Sequence, residues 1–153
     1  MIPYLNAAVQ FEKKDVVISY YCRVYAANLG IKCKGLDADS KKVLLSLMSH
    51  LETFKKAHSA QNEGLANEVI AESKIEAQAV ALFSVADKID RAGKANQNVV
   101  KMFFTAAKLF EVLTYFTSLG TFKKDEVIYF KEDVSDYIRA MYKYAAWKAT
   151  YIR

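Results

Sequence analysis

Few side chains in this sequence have the chemistry of a reactive site. The 153-residue chain contains two histidines, His50 and His58, and two cysteines, Cys22 and Cys33. Neither histidine has a carboxylate at a spacing that would complete a metal site or tune a general base. The cysteines form no CxxC pair and no Cys/His pattern suited to zinc. A Cys22/His nucleophile and base pair is unsupported, because no nucleophile motif or Gly-rich oxyanion turn accompanies it. No GxGxxG sequence or P-loop offers backbone N–H groups to a phosphate. These absences argue against an enzyme and against a metal, nucleotide or other cofactor. The histidines read as core or surface residues, and the cysteines as unpaired thiols of a reducing compartment.

The elements that position the remaining side chains are helical. Gly (5) and Pro (1) are scarce, apolar residues make up 53% and charged residues 25%, the composition of one globular domain with long helices and a core of its own. Nothing resembles a secretory leader or a membrane span, so the expected address is the cytoplasm. The net charge of +5 is dispersed along the chain and gives no clustered nucleic-acid footprint. Residues 12 to 42 are net basic and residues 60 to 94 net acidic, a polarity able to steer an acidic partner.

Pro3 suits a first helical turn, so the first helix is expected over about residues 3 to 13. Asp15 caps a second helix that carries Ile18, Tyr21, Cys22 and Tyr25 at helical spacing and stops at Gly30. A third starts at Asp39-Ser40 and ends near His58. A longer helix covers residues 65 to 91, closed by Gly93. The next, residues 97 to 119, is apolar nearly all round, with a thin polar stripe of Lys101, Thr105 and Lys108, and is expected to be the most deeply buried. The last runs from about Lys124 to the end, with Met141, Ala145 and Ala149 on its core face. No alternation of period two persists, so no sheet is expected. A weak repeat suggests two three-helix modules: Ala7-Ala8-Val9 before Tyr20, Tyr21 and Tyr25 is echoed by Val85-Ala86-Asp87 before Phe103, Phe104 and Phe110.

Two helical faces carry more apolar surface than a simple bundle needs. Met48 and Leu51 lie one turn apart on the third helix, and with Leu44 and Lys55 they either line a groove against the second helix or belong to the bundle core. On the last helix Tyr144, Trp147 and Tyr151 form a stripe about 100° round from the core face at 3.6 residues per turn. Such a stripe is either further core or a docking face.

Three segments in order, Tyr20-Tyr21-Cys22-Arg23-Val24-Tyr25-Ala26, Ala86-Asp87-Lys88-Ile89-Asp90-Arg91-Ala92-Gly93-Lys94 and Tyr144-Ala145-Ala146-Trp147-Lys148-Ala149-Thr150-Tyr151-Ile152, are similar to the N-terminal domain of the LYST-interacting-protein and Vta family. That family comprises regulators of the Vps AAA ATPase in the ESCRT pathway. The resemblance extends over nearly the whole chain and is weaker at 63 to 81 and around 123 to 131. It implies an all-α fold of about seven helices, two tandem modules of the MIT type (microtubule interacting and transport) with a connecting helix. The modules fall at 1–60 and 65–153 within one N-terminal domain.

The implied function is that of a non-catalytic adaptor. It binds C-terminal helical motifs of ESCRT-III subunits, the charged multivesicular body proteins, and works at the endosome surface without inserting into the membrane or binding nucleic acid. A separate C-terminal domain of the family engages the ATPase, so this chain is expected to recruit but not to activate. Carried over by position, the first-module groove falls on Tyr21, Tyr25, Leu44, Met48, Leu51 and Lys55, with Lys55 pairing an acidic residue of the motif. In the second module Phe103, Lys108, Tyr144, Trp147 and Lys148 are the implied contacts. The competing reading of the composition is a basic amphipathic membrane-surface module or a general helical scaffold.

Overall fold

The computed structural model of the chain describes residues 2–116, 121–124, 127–130 and 136–151. It divides into two compact units, Met1–Lys74 and Ile75–Arg153. The first unit contains α1 (Ile2–Phe11), α2 (Val16–Lys32), α3 (Ala38–His58), a four-residue helix α4 (Glu63–Ala66) and the first residues of α5 (Glu68–Arg91). Asp15 starts α2 as expected. Its carboxylate accepts from the Val17 N–H at 3.0 Å, satisfying a donor that the helix itself leaves unpaired. Small residues on α1, Ala7 and Ala8, are buried against α2. They let Ser19 Oγ reach the Ala8 carbonyl at 2.7 Å. Arg23 then donates to Ser19 Oγ at 2.9 Å and approaches Glu12 at 3.5 Å, so a buried hydroxyl and a half-buried guanidinium tie the first two helices together.

Several boundaries differ from expectation, each for a local reason. Gly30 is buried inside α2, which continues to Lys32 and closes with the Cys33 N–H on the Gly30 carbonyl. The left-handed residue of that turn is Gly35, at φ 80°. Asp37, not Asp39, caps α3, through a 2.7 Å bond from the Ser40 N–H. This bond lowers the Asp37 pKa. The expected helix from residue 65 is broken at Asn67, which ends α4 and accepts from Val69 N at 3.0 Å to start α5. Gly93 terminates α5 as expected. At φ 74° it allows the paired Gly93 to Asp90 and Lys94 to Ile89 backbone bonds of a Schellman turn.

Gly64 is set by space rather than by torsion. A Cβ at this position would stand 2.8 Å from Val17 Cγ1 and 3.0 Å from Cγ2, and a β-branched side chain in a helix has little rotamer freedom with which to yield. Gly64→Ala is therefore expected to destabilise the first unit by about 1–3 kcal/mol, the usual penalty of overpacking, as read from chemical denaturation.

The second unit contains the remainder of α5, α6 (Gln97–Val112), a single 3-10 turn (Leu113–Tyr115), strands β1 (Thr121–Lys124) and β2 (Val127–Phe130), and α7 (Asp136–Tyr151). Asn96 caps α6 by accepting from the Asn98 and Val99 N–H groups. The fold is all-α in its architecture, but the expectation of no sheet is corrected by this hairpin. β1 and β2 pair antiparallel, with Thr121 opposite Phe130 and Lys124 opposite Val127. Val127, Ile128, Tyr129 and Phe130 are β-branched or aromatic, types favoured in strands, and they form β2 where the last helix was expected from about Lys124. Residues 117–119, 125–126 and 131–135, through which helices were expected to continue, lie outside the described residues, as does Gly120. As expected, α6 is deeply buried. It is not alone in this, since α2 buries as large a share of its residues.

The core of the second unit is formed by Ala86, Val99, Phe103, Ala107 and Ala145. On α7 Met141 is also buried, and Ala149 packs against the cluster, in line with the expected inner face. Both cysteines are free, Cys22 buried and Cys33 exposed. Burial raises the Cys22 thiol to about 12, leaving almost no thiolate to react at neutral pH. A thiol reagent at pH 7.5 is thus expected to label Cys33 rapidly and Cys22 only after denaturation. Equal labelling of both in the folded protein would contradict this packing.

Candidate protein-docking site

In the first unit α2 packs on α3, and the expected groove residues divide by burial. Tyr21, Tyr25, Leu44 and Leu51 are buried. Leu44 and Leu51 are seven positions apart, nearly in line along α3, and form the stripe it turns inward. Tyr25 meets Tyr4 of α1 edge-to-face at 4.7 Å, and Tyr21 meets Tyr20 at 5.0 Å. Tyr20 in turn stacks on Phe54 at 6.1 Å. Met48 and Lys55 stand about 40° round from that stripe. Met48 is 37% exposed, and Lys55 is exposed as well. A flexible thioether and an exposed cation therefore stand beside the two buried leucines of α3. On the opposite flank a broad, open depression of about 520 Å³ is lined by Lys42, Val43, Ser46, Leu47 and His50. The sequence reading counted Leu47 toward the core of this helix and did not single out Val43. A second apolar row at four-residue spacing was the available signal.

In the second unit the expected residues separate more sharply. Phe103 is fully buried. It packs edge-on against Phe83 at 5.9 Å and Tyr144 at 6.1 Å, so its expected role as a contact is corrected to one of support. The exposed ring of α6 is its neighbour Phe104, which Lys108 covers at 5.1 Å from the ring centre. Lys108 also pairs with Glu111 at 3.3 Å. Glu111, though buried, accepts from Tyr142 Oη of α7 at 2.9 Å. Its charge is thus compensated across two helices.

On α7 the half-buried Tyr144 meets Trp147 at 5.8 Å, and Trp147 remains 50% exposed. Lys148 is already engaged. Its ammonium lies 2.6 Å from Asp90 Oδ2 with both side chains largely buried, and it stands over the Tyr144 and Trp147 rings at 5.7 and 5.3 Å. The hydrogen bond to Asp90 raises the Lys148 pKa, while desolvation opposes the shift. Lys148 therefore anchors α7 to α5 beneath the tryptophan, and Trp147 is the group presented to solvent. Taken separately, the first unit presents Met48 and Lys55 on the flank of α3, and the second presents Trp147 on α7.

Among the described residues no three His, Cys, Asp or Glu side chains are placed to hold a metal, and no described helix is long and apolar enough to cross a membrane. The arrangement consists of exposed apolar side chains bordered by cations on rigid helices, the chemistry of protein recognition.

The family model described as Vta1-like matches residues 1–153. The chain is 36% identical over 149 residues to the vacuolar protein sorting-associated protein VTA1 homolog of Bos taurus, covering 97% of this chain and 43% of that protein. It is 32% identical over 155 residues to the Arabidopsis thaliana homolog of mammalian LYST-interacting protein 5, covering all of this chain and 32% of that protein. The chain thus spans less than half the length of these relatives. Its fold is similar to the crystal structure of the S. cerevisiae Vta1 N-terminal domain, with TM-score 0.78, 17% identity, and coverage of 97% of this chain and 91% of that one. It is also similar to the NMR structure of the Vta1–Vps60 complex, with TM-score 0.74, 15% identity, and coverage of 99% and 93%. From a match that spans its whole length, the chain belongs to the Vta1-like family.

Proposed function

We propose that this chain is a non-catalytic adaptor domain that binds C-terminal helical motifs of ESCRT-III subunits, and so links ESCRT-III to the Vps AAA ATPase in multivesicular body sorting. The observation that carries the reading is the α3 flank, where Met48 is 37% exposed beside the buried Leu44 and Leu51 and Lys55 is exposed one turn beyond Leu51. An amphipathic helix with leucines at i and i+4 would set them against Met48 and the adjoining leucine floor, and an acidic residue one turn on would meet Lys55. The likeness of the fold to that of the Vta1–Vps60 complex supports a related partner.

The first unit is the MIT-like module that takes the leucine motif. The second is an MIT-like module making a distinct contact around Trp147, supported by Tyr144 and anchored by Lys148. Phe104 and Lys108 extend that surface along α6. The ATPase contact belongs to a separate C-terminal region of the family, and this chain recruits the partner to the endosome surface. The test is a pull-down of the chain with a panel of ESCRT-III C-terminal peptides, each paired with a version whose motif leucines are aspartates. Capture of at least one native peptide and loss of its aspartate version are expected; capture of none overturns the proposal.

A further inference from the structure

Within the second unit, side chains of α5 and α7 meet beside the half-exposed indole of Trp147. Lys148 follows Trp147 on α7, about 100° round the helix, and its ammonium lies 2.6 Å from Oδ2 of Asp90 on α5. The same ammonium stands over the indole at 5.3 Å from its centre and over the Tyr144 ring at 5.7 Å. Tyr144 is in turn packed edge-on against Phe83 at 5.7 Å and Phe103 at 6.1 Å. Lys148 and Asp90 keep only 15% and 13% of their side-chain surface in water, whereas Trp147 keeps 50%.

A lysine ammonium is a strongly hydrated charge on a flexible stem. Without a counter-charge in so little water it would swing out to solvent, because a buried charge that lacks a partner is costly. Asp90 supplies that partner, and the ammonium stays where the faces of the Tyr144 and Trp147 rings attract it. A fixed cation against the indole favours one orientation of the ring. A ring already ordered spares a partner the cost of ordering it on binding. We propose that Asp90 is a positioning residue for docking: through Lys148 it fixes the indole of Trp147, so that the solvent-facing half of the ring is preset for a protein partner. Asp90 acts at one remove and need not touch that partner. The docking half of the inference rests on the second-unit contact proposed above; the fixing of the ring does not.

The chain contains one tryptophan, so its fluorescence reports Trp147 alone. In the full chain the anisotropy is expected to decay with the tumbling of the domain, and Asp90→Asn to add a sub-nanosecond component, the time scale of unrestrained side-chain rotation. A pair that only stabilises the fold would lower the denaturation midpoint and leave the native-state decay unchanged, and that result overturns the proposal. In Lys148→Met the cation is gone, so the fast component should appear and Asp90→Asn should add nothing to it. An equal increment in both backgrounds overturns the route through Lys148. One reading needs no variant to fold: nuclear Overhauser contacts from the Lys148 Hε protons to the indole are expected in the unaltered chain, and their absence overturns the proposal. Affinity tests the docking half. For an ESCRT-III tail peptide whose binding falls with Trp147→Ala, Asp90→Asn is expected to weaken binding roughly two- to tenfold, and unchanged affinity beside a loosened ring overturns that half. If no peptide senses Trp147→Ala, the docking half fails together with the second-unit reading, while the anisotropy still decides whether Asp90 fixes the ring.

Discussion

Met48→Asp is expected to weaken binding of an ESCRT-III tail helix roughly thirtyfold, a loss of about 2 kcal/mol or more, with the melting temperature nearly unchanged. The two effects separate because of where Met48 stands. Leu44 and Leu51 supply the buried stripe of α3, whereas Met48 is 37% exposed on its flank. A carboxylate there keeps its water in the free domain, yet it occupies the place where a partner leucine would be desolvated. If Met48 were core, the same charge would be buried without a partner, and the domain itself would lose several kcal/mol. Calorimetric titration and thermal melting of one variant read both quantities. A large fall in melting temperature rejects the groove assignment, and so does unchanged affinity.

Phe103→Ala and Trp147→Ala are expected to have opposite profiles, although both rings belong to the second unit. Phe103 is fully buried and contacts Phe83 and Tyr144, so truncation removes the ring and leaves a cavity. That costs about 3–5 kcal/mol, a large part of a domain's stability. Trp147 leaves half its surface in water, and its removal should cost little stability while lowering affinity for the second-unit partner by about 2 kcal/mol, or roughly thirtyfold. Denaturant midpoints measured beside binding curves test the contrast. A Trp147 variant as unstable as the Phe103 variant would return that stripe to the core.

The adjacent rings Phe103 and Phe104 of α6 show what the sequence could and could not reveal. A helix apolar nearly all round gives no inner face to read, and Phe103 and Phe104 differ by only about 100° of rotation. Packing against Phe83 and Tyr144 decided which one turned inward. Asp15 and Gly93 were legible because capping and left-handed turns depend on a single residue and its nearest neighbours. Gly30 misled for the same reason, since glycine ends a helix only where the chain turns, and here the turn comes at Gly35.

The hairpin at 121–130 was missed because four-residue strands are too short for alternation to stand out against helical spacing. On α3, Leu44, Met48 and Leu51 could be named from periodicity, but the separation of floor from rim needed the burial of each. Lys148 was legible as a cation beside an aromatic stripe. Its engagement by Asp90, 58 positions earlier in the chain, was not.

The most direct test of the docking assignment is an NMR titration of the isotope-labelled chain with the C-terminal tail peptide of an ESCRT-III subunit. The expected result is saturable movement of amides around Met48 and Lys55 on α3, abolished when the peptide's motif leucines are replaced by aspartate. A peptide panel that leaves those amides in place at millimolar concentration, or that moves only residues remote from both the α3 flank and Trp147, contradicts it.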